Sequence, residues 1–442
     1  MEKKVLVAGL GKTGHSIASY LQRKKRSFLM YDTRLSPAGY EEFRHEFPEI
    51  EVFLGEFPEP LYDSISEIIS SPGVPLDSPL MLKAMQHHIP IYGDIECLAR
   101  EIDVPVVAIT GTNGKSTVTT LVGEMAKVAG INVAVAGNIG TPVLDRLGEN
   151  IPYQLWVLEL SSFQLDLIHS LAPVASTILN ISDDHLDRHH TLQAYIDAKQ
   201  RVYRQAKTAL YNRDDPQTKP TDGNLKVSFG LDEPKEGQWG LRMKDGNTFL
   251  AFGNQNFLSV SELKIKGRHN WANALAACGL AHAAGIDMAS MVKVLKQFTG
   301  LAHRAQWVRT IAGVDWINDS KGTNVGATYS AILGIGGSMQ GKIVLIAGGL
   351  GKGADFSPLR TPMAEYVRTL VLIGKDADKL EEAMGSAVKV MRANSLEDAV
   401  RVAHQQANAG DVVMLSPACA SQDMFRDFNH RGEVFVSEVN AL

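Results

Sequence analysis

Short apolar runs, each broken off by a glycine-rich or polar loop, recur along the whole chain, at residues 5–8, 28–31, 68–69, 105–109, 155–158, 175–179, 343–347, 370–373 and 412–415. Continuous rather than alternating apolarity means burial on both faces, as in parallel strands covered by helices. After the run at 105–109, Val118, Leu121, Val122, Met125 and Val128 repeat at helical spacing until Gly130 supplies a stop. Between 206 and 266 the pattern turns to alternation with turn signals such as Lys244-Asp245-Gly246-Asn247, which predicts an antiparallel ribbon. The expected architecture is α/β in three domains: a Rossmann-like domain over 1–93, a P-loop ATPase-like domain carrying the ribbon over 94–298, and a second Rossmann-like domain over 299–442. A length of 442 residues fits three cores.

The loops carry the chemistry. Gly111-Thr112-Asn113-Gly114-Lys115-Ser116-Thr117 stands where a strand hands over to a helix. Its glycines let backbone N–H groups close on a polyphosphate, Lys115 reaches outer phosphates, and the Ser116 hydroxyl suits Mg²⁺. Ile109 occupies the place of the first glycine in the common spacing, so a tighter loop is expected. Gly9-Leu10-Gly11-Lys12-Thr13-Gly14 follows another strand and specifies a diphosphate on a helix N-terminus, with Asp32 at the distance of a ribose-binding acid. NAD or any other nucleotide diphosphate satisfies that pattern.

Glu159 ends an apolar run close to the phosphate loop, where a Mg²⁺ ligand is needed; helix capping or a surface position is the alternative. Residues 180–190 crowd acids and imidazoles together, but no second ligand set follows at zinc spacing, and the oxygen-rich donors favour Mg²⁺. Of their histidines, His185 is the functional candidate, and His189 and His190 are expected to be solvated. Asn270 and Asn273 lie one helical turn apart, suited either to an adenine or phosphate-side contact or to capping. In the third domain the loops at 348–355 and 416–421 hold polar groups fit for a small charged substrate.

Composition changes little in this picture. Hydrophobic residues at 45%, charged residues at 21% and a net charge of −5 describe an ordinary soluble enzyme with no electrostatic pull toward nucleic acid. The basic cluster Arg23-Lys24-Lys25-Arg26 is expected to be a solvated helix end. Cys97, Cys278 and Cys419 form no Cys-x-x-Cys pair, which suits a reducing cytoplasm; neither a signal peptide nor a transmembrane span is expected.

Taken together, the strings 111–116, 159–164, His269-Asn270, His303-Arg304, Asn318-Asp319-Ser320-Lys321 and 416–421, in this order, resemble the Mur ligase family. The resemblance runs essentially from Val5 to Phe435. It implies an ATP-dependent amide ligase of cytoplasmic peptidoglycan precursor synthesis, with UDP-substrate, ATP and amino acid on the first, central and third domains. The 416–421 string favours D-glutamate as the amino acid; the resemblance further implies UDP-N-acetylmuramoyl-L-alanine as the acceptor, and a monomer is expected.

Carried over by the resemblance, Lys12, Thr13, Asp32, Thr33, Arg34, Gly73, Asn138 and Gln164 bind the UDP-substrate. Gly111 to Thr117 with Asn270, Asn273, Arg304 and Asp319 bind ATP. Lys321, Thr323, Lys352, Ser421, Gln422 and Phe428 receive D-glutamate. Lys115, Glu159, His185 and Lys199 are the implied catalytic set, with Ser116, Glu159, His185 and a Lys199 carbamate made from carbon dioxide holding two Mg²⁺ ions. Gly322 and Gly351 depart from the family's usual alanine and acid. Rival readings are another Mur ligase, a folylpolyglutamate synthase, an NAD oxidoreductase and a nucleotide-hydrolysing switch.

Overall fold

The computed structural model describes residues 3–37, 39–221, 225–265, 267–337 and 339–442, without the side chains of Leu186 and Asp187. Lys266, the expected end of the ribbon, and the Asp187 side chain in the acidic segment therefore lie outside the described residues. The described strands form three sheets, as the apolar runs require.

The first sheet is parallel, with order β3-β2-β1-β4-β5. Its strands are β1 (Lys4–Ala8), β2 (Phe28–Asp32), β3 (Val52–Leu54), β4 (Ile65–Ser70) and β5 (Ile91–Gly93). Ala8 pairs with both Tyr31 and Ser70, so the glycine loop, Asp32 and residues 71–73 leave one edge together. The helix Lys12–Arg23 begins directly on that loop.

The central sheet has order β14-β13-β12-β11-β10-β9-β6-β8-β7. Its strands are β6 (Val106–Thr110), β7 (Val133–Gly137), β8 (Leu155–Glu159), β9 (Ala175–Ile178), β10 (Thr208–Asn212), β11 (Leu225–Phe229), β12 (Trp239–Lys244), β13 (Asn247–Phe252) and β14 (Gln255–Ser259). The expected ribbon needs correction: β10 and β11 are parallel continuations of the sheet, and only β12 to β14 are antiparallel. Their half-exposed outer faces produce the alternation that reads as a ribbon in sequence. Helices Lys115–Val128 and Arg268–Ala283 cover one face, closing a core in which Trp239 is fully buried.

The third sheet has order β15-β16-β20-β17-β18-β19. Beside the three expected strands, β17 (Ile343–Gly348), β18 (Val367–Ile373) and β20 (Val412–Leu415), it holds β15 (Gln306–Ile311), β16 (Val314–Asn318) and β19 (Lys389–Arg392). These three escape a search for apolar runs because polar residues interrupt them. The basic cluster at 23–26 is exposed, as expected, yet it is not idle: Arg23 donates to the Leu144 carbonyl at 2.6 Å and Lys24 pairs with Glu101 at 2.6 Å. Among the described residues, no helix is long and apolar enough to cross a membrane, and the three cysteines are free and buried.

Gly14 sits where helix Lys12–Arg23 crosses the glycine loop, and a Cβ built there falls 1.8 Å from the Gly9 carbonyl oxygen; at Gly11 a Cβ meets nothing within 4 Å. Gly14→Ala should therefore displace backbone, costing about 2–3 kcal/mol and lowering the melting transition of the first domain by roughly 10 °C. Gly11→Ala should melt like the parent. Scanning calorimetry of the two variants decides the matter, and equal melting would sink the close-packing account.

Candidate functional site

Sheet register assembles the site. Ile109 pairs with Glu159 across β6 and β8, and Glu159 pairs with Gly137 across β8 and β7. Thr110 pairs with Ile178 on the other side. Three loops thus leave the sheet at one level: the phosphate loop between Asn138 and Glu159 on one flank and residues 179–184 on the other. This carboxyl edge is where ligands of open α/β sheets bind.

Glu159 is 2% exposed and is neither a cap nor a surface residue. Its Oε2 accepts the Ser116 hydroxyl at 2.6 Å and its Oε1 accepts the Asn138 amide at 3.2 Å. Ser116 Oγ in turn accepts the Arg304 guanidinium at 2.6 Å, although Arg304 belongs to the segment leading into the third sheet. Lys115 Nζ is held by the carbonyls of Gly111 and Thr112 at 2.8 Å each. Burial draws Lys115 and Arg304 below their usual ranges, and the charge of Glu159 opposes the shift in both.

Lys199 is buried to 2% exposure, donating to Gly111 O at 3.0 Å and Thr110 Oγ1 at 3.3 Å above the Tyr195 ring. It takes part in none of the ion pairs among the described residues. Burial and then the neighbouring Lys115 charge push its amine well below the ordinary lysine range.

The donor chemistry at this point suits Mg²⁺, which takes hard oxygens and commonly relies on few carboxylates plus phosphate oxygens. Ser116 and Glu159 provide adjacent oxygens. Among the described residues no three His, Cys, Asp or Glu side chains converge, so no all-protein metal cage is built.

A cavity of about 390 Å³ opens beside the loop, lined by Asn113, Gly114, Asn270, Asn273, Arg304, Asp319 and Lys321 among others. Asn270 and Asn273 are buried on helix Arg268–Ala283 and bonded to each other at 3.2 Å. Gly114, at φ +83°, leaves 2.5 Å between a built Cβ and Asn273 Oδ1, which only glycine permits.

Asp319 Oδ1 accepts Ala305 N at 3.0 Å and its Oδ2 accepts Ser416 Oγ at 2.7 Å. Lys321 lies 3.9 Å over the Phe428 ring, its amine pushed down to about 8 by burial and then by the Arg304 charge. Ser421 is buried, its carbonyl accepting Phe425 N, whereas Lys352 and Gln422 are exposed and Thr323 is half-buried.

The first-domain residues form a separate cluster. Asp32 accepts Leu10 N at 2.7 Å and is clamped by Arg34 Nε and Nη2 at 2.8 and 2.7 Å. Despite burial, these contacts hold its carboxyl below the usual range. Lys12 and Thr13 open the adjacent helix, Thr33 follows Asp32, and the Gly73 carbonyl accepts Arg188. Gln164 is committed to a capping box with Ser161.

His185 is half exposed beside the Phe163 ring, with Asp184 3.8 Å away. His189 corrects the expectation of solvation: it bonds Ser162 Oγ at 2.9 Å and stacks on Phe163. His190 is exposed as expected. Sequence reasoning missed Asn180, whose amide bonds Asn113 at both backbone atoms, and Tyr195, whose hydroxyl meets Thr112 Oγ1 at 3.2 Å. Only the position of Asn180, just past an apolar run, hinted at a role.

Family models match three stretches: the Mur ligase MurD-like N-terminal domain over 3–93, the Mur ligase middle domain over 109–281, and the Mur ligase glutamate ligase domain over 303–419. The chain is 62% identical over 441 residues, 99% of each chain, to a UDP-N-acetylmuramoylalanine--D-glutamate ligase of Legionella pneumophila strain Philadelphia 1. A Pseudomonas putida protein of the same name is 47% identical over 439 residues, covering 99% of this chain and 97% of that one. Among solved structures, a UDP-N-acetylmuramate-alanine ligase from Thermotoga maritima aligns over 99% of both chains with a TM-score of 0.61 at 19% identity, a likeness of fold.

Burial raises the Asp319 carboxyl to about 6. The folded state then holds a proton that the unfolded chain releases near 4, so stability falls as pH rises from about 4 to about 6. Asp319→Asn keeps an oxygen for Ala305 N and carries no charge. The variant should melt above the parent at pH 7 and level with it at pH 4; a pH-independent difference would refute the assignment.

Proposed function

This chain belongs to the Mur ligase family, and we propose that it is the ATP-dependent ligase joining D-glutamate to UDP-N-acetylmuramoyl-L-alanine in peptidoglycan precursor synthesis. The observation that carries the reading is the Arg304–Ser116–Glu159 chain of contacts, which brings the third domain onto the phosphate loop at a buried carboxylate. A ligase needs that meeting, because its amino acid must arrive where the acceptor has just been activated.

A carboxylate is a poor acceptor for an amine, being anionic with oxide as its leaving group. In the proposed reaction the alanyl carboxylate oxygen attacks the γ-phosphorus of ATP, the bond to ADP breaks, and an acyl phosphate results. The D-glutamate amine then attacks the acyl carbon, phosphate leaves, the amine proton is released, and the amide remains. Backbone N–H groups of Gly111 to Thr117 and the Lys115 amine would hold the polyphosphate, while Asn270, Asn273, Arg304 and Asp319 would bind the rest of ATP around the cavity.

Lys12, Thr13, Asp32, Thr33, Arg34 and Gly73 would hold the UDP end of the acceptor, with Asn138 and Gln164 toward its reacting carboxylate. Lys321 and Lys352 would pair with the glutamate carboxylates, beside Thr323, Ser421, Gln422 and Phe428. Ser116, Glu159, His185 and carbamylated Lys199 would hold two Mg²⁺ ions. Bound there, Mg²⁺ screens the charge on the phosphoryl oxygens.

A buried Lys199 whose amine is drawn below the ordinary lysine range is suited to carbamate formation: the lone pair of the neutral amine adds to the carbon of carbon dioxide, one N–H proton leaves, and the site becomes anionic. An NAD oxidoreductase would leave the second phosphate loop without a role, and a nucleotide-hydrolysing switch would need no carboxylate acceptor.

Phosphate release from ATP should require both UDP-N-acetylmuramoyl-L-alanine and D-glutamate, with L-glutamate inactive; release indifferent to either substrate would refute the ligase reading. Lys199→Ala should lose activity by roughly a hundredfold or more, the scale on which ligand-orienting groups act. Acetate or another short acid should restore part of it by standing in for the carbamate, and a fully active variant would eliminate the carbamate.

A further inference from the structure

The phosphate loop is joined to its neighbouring strand end by more than strand pairing. At the carboxyl edge the ladder between β6 and β9 runs on past both strands: Leu179 N donates to Thr110 O at 3.0 Å, and Thr112 N donates to Asn180 O at 2.9 Å. There the backbone parts from the loop, because Ile181 N turns away to Asp215 Oδ2 at 2.7 Å. The side chain of Asn180 takes over. Its Oδ1 accepts Asn113 N at 2.8 Å and its Nδ2 donates to Asn113 O at 3.1 Å.

A primary amide offers the same donor and acceptor as a peptide group. The Asn180 side chain thus stands in for one more peptide unit of the ladder and carries the pairing further into the loop than the backbone reaches. Both ends of the amide are used, and its orientation is fixed, since only the carbonyl end can accept from an N–H. The same stretch is pinned twice more. Ser182 N donates to Thr112 Oγ1 at 3.0 Å, and a Cβ built on Gly111 falls 3.0 Å from the Leu179 Cβ, so the loop lies close against residues 179–182.

These contacts divide the loop. The N–H groups of Thr112 and Asn113 are engaged by Asn180 rather than turned toward a phosphate. At Gly114, φ +83° turns the chain into helix Lys115–Val128, which has no side-chain cap, so the N–H groups of its first turn are left for an anion. Where those groups point is decided by the last pinned residue before the turn, which is Asn113.

We propose that Asn180 is a positioning residue for the polyphosphate: it splints Asn113, so that the N–H groups from Gly114 to Thr117 are the ones that meet phosphate oxygens. The inference rests on the nucleotide part of the proposed function and narrows its phosphate contacts. Asn180 also stands on the cavity wall, so the test must separate a splint from a direct contact with the base.

For the full-length parent, Asn180→Ala and Asn180→Asp, KM is measured for each substrate, and affinity for inorganic tripolyphosphate, which has no base, is measured by calorimetry. Asn180→Ala should weaken ATP and tripolyphosphate by the same factor, roughly tenfold, the scale of two neutral hydrogen bonds. KM for UDP-N-acetylmuramoyl-L-alanine should stay within about twofold of the parent. Asn180→Asp keeps the size and still accepts from Asn113 N, but it cannot donate to Asn113 O and faces that carbonyl with a charged oxygen. It should lose at least as much, and it carries the prediction if the alanine variant fails to fold.

A KM for ATP that rises while tripolyphosphate affinity holds would make Asn180 a base contact and overturn the proposal. Parent-like affinity in Asn180→Asp would do the same, as would a lowered melting transition with both affinities unchanged, which would leave Asn180 a purely structural residue. A parent that binds tripolyphosphate but turns over no acceptor would instead refute the ligase function, and tripolyphosphate affinity alone would then judge the splint.

Discussion

Everything at the candidate centre turns on one buried carboxylate. Glu159 accepts Ser116 from the phosphate loop and Asn138 from the neighbouring strand end, and through Ser116 it is tied to Arg304 of the third domain. A carboxylate at 2% exposure is tolerated only when its lone pairs are filled and its charge is answered. Both conditions are met by residues from three different loops, so removing it would disturb the phosphate loop, the strand edge and the domain contact at once.

Around Glu159 the charge is unbalanced toward cations. Lys115, Lys199, Arg304 and Lys321 all feel one another or Glu159, and burial lowers each of them. Such an excess of positive charge is costly in an isolated protein and matches a reaction that gathers a triphosphate and several carboxylates in one place. Lys199 is packed over Tyr195 against Thr110 and Gly111, and it takes part in none of the ion pairs among the described residues.

The domains contribute unequal kinds of order. The first and central domains meet through fixed polar contacts, with Gly93 N on the Leu167 carbonyl, Arg23 on Leu144 and Arg188 on the carbonyls of Pro72 and Gly73. The third reaches the phosphate loop by one guanidinium and shares the cavity wall.

The local chemistry was legible in the sequence because it depends on short-range rules. Apolar runs give strands, glycines at fixed spacing give phosphate loops, and the motif strings in order point to one family. Residues 111–117, Glu159 and Asn270 with Asn273 could be singled out for that reason. Other features were decided only by tertiary structure. Strands β10 and β11 turned out parallel, β15, β16 and β19 had polar residues that hid them, and His189 was drawn off the surface by Phe163 and Ser162. The contact of Arg304 with Ser116, 188 residues apart, arises from sheet register and domain packing, which bring together side chains that no local spacing relates.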